Sequence, residues 1–436
     1  MKKKLWFGVV AVCAAVFIFG CSSKSKGAKT VKFDNGLTAI FLYNPDSQAA
    51  SVNVFVRVGA VDEKPSQAGL SHFLEHLFFK GSKNFPGDAL SRNTENLGGY
   101  INAMTSKEFT SFYINIQRDG VPQAIRMLAD TMQNPLFPQE EVDRERKVVI
   151  EEIKIHLDSP TSVLYDKFCS LMYEQSAMKN SVIGSSAVIA NVSRDEIYEY
   201  YSSHYVPEKM LVVVAGNFDL AKAKKTIAET FGKFPRKAAP ADPVLEEPVH
   251  KGKDYVKKSN VQVSYLITAF LGPDYLSDDI FTGDVAASIL GGSKSSRLYR
   301  VLKEDKQLVY SIGAVSGANK GTGLFYVFSV FDAKNMDTIK SGIYEQIEKI
   351  IKDGVTDEEL NRAKTAIKTG WSFGHEKPSD IAQETGYWNV IGRPDYAEVY
   401  LSKIDAVTSA DVQRFFKTYY LKDSVTNVGL IPEKTK

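Results

Sequence analysis

His72, Glu75 and His76 stand in the stretch Gly69-Leu70-Ser71-His72-Phe73-Leu74-Glu75-His76-Leu77-Phe78-Phe79-Lys80-Gly81. On a helix, positions three and four apart share a face, so these three side chains project together while Leu70, Phe73, Leu74 and Leu77 form an apolar flank. Two imidazoles on one face are a ready pair of zinc ligands, and a carboxylate as third ligand leaves a position open for water. Glu75 is then free to take a proton from that water. The competing reading is a histidine pair on the surface or satisfied by hydrogen bonds in the core. The motif alone does not separate the two.

A third ligand must come from another element. Pro138-Gln139-Glu140-Glu141 opens a long amphipathic helix running to about His156, and it offers Glu140, Glu141, Glu145, Glu151 and Glu152. Glu145 and Glu152 are two turns apart on a stripe with Val148 and Val149. Carboxylates on a partly apolar face are costly unless paired or metal-bound. A solvated acidic face is the alternative.

These residues need a scaffold, and the 436-residue length is enough for two or more domains. Hydrophobic content of 44% and charged content of 24% are those of a soluble globular protein. A net charge of +2 gives no electrostatic basis for nucleic-acid binding.

Lys2-Lys3-Lys4 and the apolar run Leu5 to Gly20 read as a signal segment, too short for a membrane span and ending in Ile18-Phe19-Gly20-Cys21. The pattern resembles a bacterial lipoprotein signal with Cys21 as the lipidated residue. Residues 1–20 are then the signal peptide and 21–29 a polar tether. Ser22 after the lipid-bearing cysteine is not acidic, so the expected location in a two-membrane host is the outer membrane, facing the periplasm. Cys13 lies in the signal and Cys21 carries lipid, which leaves Cys169 without a disulfide partner; its neighbours predict a buried small hydrophobe.

Beyond the tether, the pattern predicts a hairpin around Asp34-Asn35-Gly36, strands at 51–58, 100–105, 109–116 and 210–215, and helices at 88–97, 121–133, 138–156 and 192–205. Residues 233–250 read as a linker rich in proline, alanine and acid. The second half repeats this order, with strands at 261–270, 308–315, 323–330 and 424–431 and helices at 281–302, 336–352, 357–369 and 409–419. Val192-Ser193-Arg194-Asp195-Glu196-Ile197 lies without gaps over Val407-Thr408-Ser409-Ala410-Asp411-Val412, and Pro138-Gln139-Glu140-Glu141 over Thr356-Asp357-Glu358-Glu359. The pattern predicts a duplicated α+β unit, residues 30–232 and 251–436. In that register Glu145 falls on Ala363 and Glu152 on Gly370, and the second half's only histidine is His375. Acid is lost where the histidines are lost, as one catalytic and one scaffolding half would show.

The chain resembles the pitrilysin/insulinase family of zinc peptidases, the class with an inverted His-x-x-Glu-His motif. The residues that carry the resemblance are Gly69 to Gly81, Gly98-Gly99 with Asn102-Ala103 and Thr105, Arg144-Glu145 with Glu151-Glu152, and Gly291-Gly292 with Ser296-Arg297-Leu298 and Leu308-Val309-Tyr310. The resemblance selects Glu152 as third zinc ligand with His72 and His76, Glu145 as helper and Glu75 as general base. It implies two homologous α/β-sandwich-like domains paired as half-shells around a chamber. The implied activity is zinc-dependent endopeptidase action on unfolded peptides, which add as a strand near Asn102 and Ala103. The family's second half offers an arginine seven residues before a tyrosine; here Tyr310 is present but Lys303 stands at the arginine position, keeping charge and losing the bidentate fork. Tyr310 with Lys303 is the expected oxyanion-stabilising pair, unless a partner chain, a second copy or a related subunit, supplies the arginine. The rival reading is a silent binding or assembly subunit of a heterodimer.

Overall fold

The computed structural model describes residues 28–247 and 250–433. The expected signal segment, the expected tether up to Gly27 and Cys21, the expected lipidation site, lie outside them. The first half contributes strands β1 (Ala28–Lys32), β2 (Thr38–Tyr43), β3 (Ala50–Val56), β4 (Tyr100–Thr105), β5 (Thr110–Ile116) and β6 (Met210–Gly216). Its helices are α1 (Leu70–Phe78), α2 (Ala89–Asn96), α3 (Val121–Gln133), α4 (Gln139–Asp158), α5 (Pro160–Met172), α6 (Ser186–Asn191), α7 (Arg194–His204) and α8 (Leu220–Glu229). The second half contributes β7 (Asp254–Ser259), β8 (Ser264–Gly272), β9 (Val309–Gly317), β10 (Gly323–Phe331) and β11 (Thr426–Pro432). Its helices are α9 (Asp279–Gly291), α10 (Met336–Asp353), α11 (Asp357–Gly374), α12 (Pro378–Ile391), α13 (Tyr396–Ala406) and α14 (Ser409–Tyr419).

The first sheet runs β1-β2-β6-β3-β5-β4 and the second β7-β11-β8-β10-β9. Leaving β1 aside, the two orders superpose strand for strand, including one parallel pair in each, β2 with β6 and β7 with β11. The duplication read from the helices is therefore present in the sheets: two homologous α/β domains. The aligned helices α7 and α14 even start alike, with capping boxes Ser193/Glu196 and Thr408/Asp411.

Each domain also covers the other's sheet. Helix α12 of the second half lies on β3 and β6, with Gly386 against Phe55 so closely that any Cβ would clash with the ring. In return, α5 of the first half packs Leu164, Phe168, Cys169 and Met172 onto Ile267, Ala269, Val428 and Leu430 of the second sheet. Cys169 is buried there, as its neighbours predict. The described residues of the connection after Phe234 form no helix or strand, yet Glu247 anchors it by accepting hydrogen bonds from the backbone N–H of Gln175 (2.9 Å) and Ser176 (3.0 Å). The helix expected over 281–302 is broken: α9 stops at Gly291 and a π-helical segment, Tyr299–Asp305, follows. Consecutive glycines, Gly291-Gly292, weaken helix propensity there. Among the described residues no helix is long and apolar enough to cross a membrane.

Candidate metal centre

Helix α1 buries Leu70, Phe73, Leu74, Leu77 and Phe78 and turns His72, Glu75 and His76 to the other side. Its start is fixed by Gly69 at φ +98°, whose backbone meets Gly184 so tightly that a Cβ on Gly184 would lie 2.2 Å from Gly69 Cα. The buried Glu63 accepts the backbone N–H groups of Gly69 and Ser71, both at 2.7 Å, satisfying donors that a helix start leaves open. Burial pushes the Glu63 carboxyl up to about 7, against the pull of those two N–H groups.

Helix α4 packs across α1 through Val142, Val149 and Ile153. That stripe also buries Glu145, and Glu152 two turns on stays 39% exposed. Glu152 Oε2 lies 3.6 Å from His72 Nε2 and 3.4 Å from His76 Nε2. The three ligand atoms all fall within 4.8 Å of one another. His76 Nδ1 faces Glu145 Oε2 at 3.2 Å, which leaves Nε2 as the free ring nitrogen. Lys80 Nζ holds the other oxygen of Glu145 at 2.8 Å. Burial, with the neighbouring His76, lowers His72 to about 4, so its imidazole is neutral at physiological pH.

Two neutral-capable imidazole nitrogens and an accessible carboxylate oxygen, all pointing at one another, are the donor set that suits Zn²⁺. Glu145 on the far nitrogen of His76 is the kind of carboxylate that fixes a ligand histidine's tautomer. The site therefore fits the metal that the motif implies. Glu75 stands beside the histidines without joining the triad: Thr105 Oγ1 donates to its Oε2 at 2.6 Å. Burial raises the Glu75 carboxyl above the usual range, partly opposed by that hydrogen bond.

Asn102 and Ala103 lie on β4, which among the described residues pairs only with β5 and has no strand on its other edge, next to the Thr105 contact. Tyr310 and Lys303 are not brought to the centre. Tyr310 is exposed and its hydroxyl donates to Asp332 at 2.9 Å, while Lys303 Nζ donates to the Tyr310 carbonyl at 2.7 Å. Among the described residues neither makes a hydrogen bond or ion pair to His72, Glu75, His76 or Glu152. Tyr310 lies on β9, the edge strand of the second sheet, and Lys303 on the π-helical segment before it. Sequence reasoning missed Lys80 and Glu63 as partners. Lys80 had a signal, four residues after His76 on the same face; Glu63 had none.

Comparison with known proteins fits this geometry. A family model described as Insulinase (Peptidase family M16) matches residues 38–186, and one described as Peptidase M16 inactive domain matches 191–367. An uncharacterized zinc protease of Bacillus subtilis is 26% identical over 390 residues, 89% of this chain and 95% of that one. The mitochondrial-processing peptidase subunit beta of Saccharomyces cerevisiae is 26% identical over 407 residues, 90% and 88% of the two chains. In fold, a protease from Helicobacter pylori superposes with a TM-score of 0.88 at 24% identity, over 93% of this chain and all of that one. A peptidase M16 inactive domain from Pseudomonas fluorescens gives 0.85 at 17% identity, over 94% and 99%. The paired histidines fall within the first matched segment and the histidine-poor repeat makes up most of the second, so sequence, sheet order and donor geometry agree: the chain belongs to the insulinase family of peptidases, family M16.

Proposed function

We propose that this chain is a zinc-dependent endopeptidase acting on unfolded peptides. The observation that carries the reading is the convergence of His72 Nε2, His76 Nε2 and Glu152 Oε2 beside a held glutamate. His72, His76 and Glu152 would hold Zn²⁺, and Glu145 would orient His76 with Lys80 balancing its charge. When bound, the metal supplies a Lewis acid that acidifies water and polarises a carbonyl. Glu75 takes the proton of the attacking water and returns it to the leaving amine; its raised carboxyl lies closer to the working pH than an exposed glutamate would. Thr105 fixes one oxygen of Glu75 and leaves the other for the proton. The open edge of β4 offers main-chain partners to an extended peptide, so side-chain selectivity should be broad.

The test is Glu75→Gln in the full chain. We expect zinc content to be retained and hydrolysis of a mixed peptide library to fall by about 10²–10⁴-fold. Undiminished hydrolysis removes Glu75 from its role.

A second reading, a binding or assembly subunit, is favoured by the local partners of Tyr310 and Lys303: among the described residues they bond to Asp332 and to each other, and to none of the four residues of the centre. A second copy or a related chain would bring such a pair to the site, and the implied chamber would then form between chains rather than within one. Zinc binding without turnover of any library member, in a sample of known mass in solution, selects this reading. For location we propose a lipid anchor at Cys21 and the periplasmic face of the outer membrane, testable by mass spectrometry of the membrane-extracted N-terminus.

A further inference from the structure

Helix α9 carries one acid that the peptidase reading does not use. Asp284 is on the wall of a cavity of about 170 Å³ in the second half, lined also by Ile280, Ser316, Ala318, Tyr387, Trp388 and Tyr396. Three of those seven residues are aromatic, from α12 and α13. Trp388 and Tyr396 are stacked, and Tyr387 stands edge-on to Trp388 at 5.0 Å. Tyr400 donates to Asp284 Oδ2 at 2.9 Å. Among the described residues no lysine, arginine or histidine is within ion-pair distance of this carboxylate. Arg393, which lies over the neighbouring Phe281 ring, is committed to Asp278 and to the carbonyls of Tyr275 and Ser277.

A carboxylate without a counter-ion, on the wall of a small cavity that aromatic rings also line, presents the two features that attract an organic cation. The carboxylate supplies full charge and the ring quadrupoles supply a diffuse negative surface. Burial raises the Asp284 carboxyl to about 7, so an occupant of opposite charge would relieve a cost the empty site carries. The volume limits the occupant: an engineered apolar cavity of ~150 Å³ holds benzene, so this one suits a molecule of about five or six heavy atoms.

We propose that this cavity is a binding site for a compact alkylammonium ion, such as a free short amine or the end of a lysine side chain, held by Asp284 among Tyr387, Trp388 and Tyr396. The site shares no residue with the zinc centre and does not depend on the peptidase reading.

The probe is n-butylammonium chloride, titrated into the full chain at fixed ionic strength and followed by saturation-transfer NMR and tryptophan fluorescence, with 1-butanol as the neutral isostere. Saturable ammonium binding at least ten-fold tighter than that of 1-butanol supports the proposal, as does an Asp284→Asn chain that loses that ten-fold preference while keeping its circular dichroism. Equal binding of the two probes, no saturable ammonium binding, or an unchanged preference in Asp284→Asn each overturns it. Should the variant fail to fold, the two probes in the wild-type chain decide the matter alone.

Discussion

The pairs α1 with α4 and α9 with α11 occupy the same place in their two domains, one helix beside the sheet and a long helix across it. Aligned on the shared Gly81-Ser82-Lys83 and Gly292-Ser293-Lys294, His72 falls on Gly283, Glu75 on Ala286 and His76 on Ala287. On the long helices Glu145 and Glu152 fall on Ala363 and Gly370. Every donor of the first half is replaced by one of the two smallest residues. The consequence is packing. A Cβ on Gly283 would lie 2.3 Å from Ser316 Oγ and one on Gly291 2.5 Å from the Ala314 backbone, so α9 lies hard against β9. In the first half the corresponding face of α1 stays open toward the end of β4, with Glu75 held by Thr105. One fold thus gives a site where the helix carries donors and a closed wall where it does not. The acid moves as well: Asp284 stands at the position of Phe73, and the second half's carboxylate lines the aromatic cavity.

The sharpest way to break this contrast is to give the first half the second half's residue. Glu152→Gly, copying Gly370, removes the carboxylate on which both histidines converge. Peptide hydrolysis should fall by at least ~10³-fold and zinc should no longer co-purify. Helix α4 should lose only ~1 kcal/mol, the usual cost of an interior glycine. Metal analysis and a thermal melt read both arms; a chain that still binds zinc stoichiometrically would show that the two halves do not differ where the alignment says they do.

A second test concerns what the halves share. Phe55 under α12 and Phe168 on α5 are each fully buried where one half's helix covers the other half's sheet. Phe55→Ala and Phe168→Ala should each cost ~3–5 kcal/mol, the range for deleting a core phenylalanine. Because each contact spans both domains, denaturation should remain a single transition in either variant. A split into two transitions, one per half, would mean that the covering helices decorate the sheets rather than join the domains.

Much of this was legible in the chain, for reasons the structure makes plain. Helices α1 and α4 carry their own periodic apolar stripes, and their caps and glycines mark the ends. The candidate metal group of His72, His76 and Glu152 followed from helical spacing plus a resemblance that chose Glu152 over Glu151; Glu151 pairs with Lys154 in solvent. What stayed hidden was whatever is decided across the chain. Helix α12 lies on β3 and β6 of the first half, with Gly386 against Phe55, so its pattern reports no single stripe toward its own half. Strand β7 is an edge strand with Lys257 and Lys258 exposed, and only its parallel pairing with β11 makes it a strand. Tyr310 was legible as a motif, yet a motif carries no distance, and the residue lies on its own domain's edge.

The smallest expected effect separates the two acids by what their loss changes. Glu75 faces the open side, and its removal should appear in turnover. Asp284 lines the aromatic cavity, and its removal should appear in stability and its pH dependence, with hydrolysis unchanged. Its carboxyl is raised to about 7 by burial, so the folded chain holds that proton more tightly than the unfolded one. That contribution is fully present below the unfolded value near 4 and is lost as pH rises through about 7. Wild-type stability should therefore fall steadily from this group between pH ~4 and ~7. Asp284→Asn keeps the Tyr400 hydrogen bond and cannot ionise, so the difference between the two denaturation curves should widen in the variant's favour across that window. A constant difference across it would mean that Asp284 is already ionised in the folded chain and that the two halves do not differ in where they place their acid.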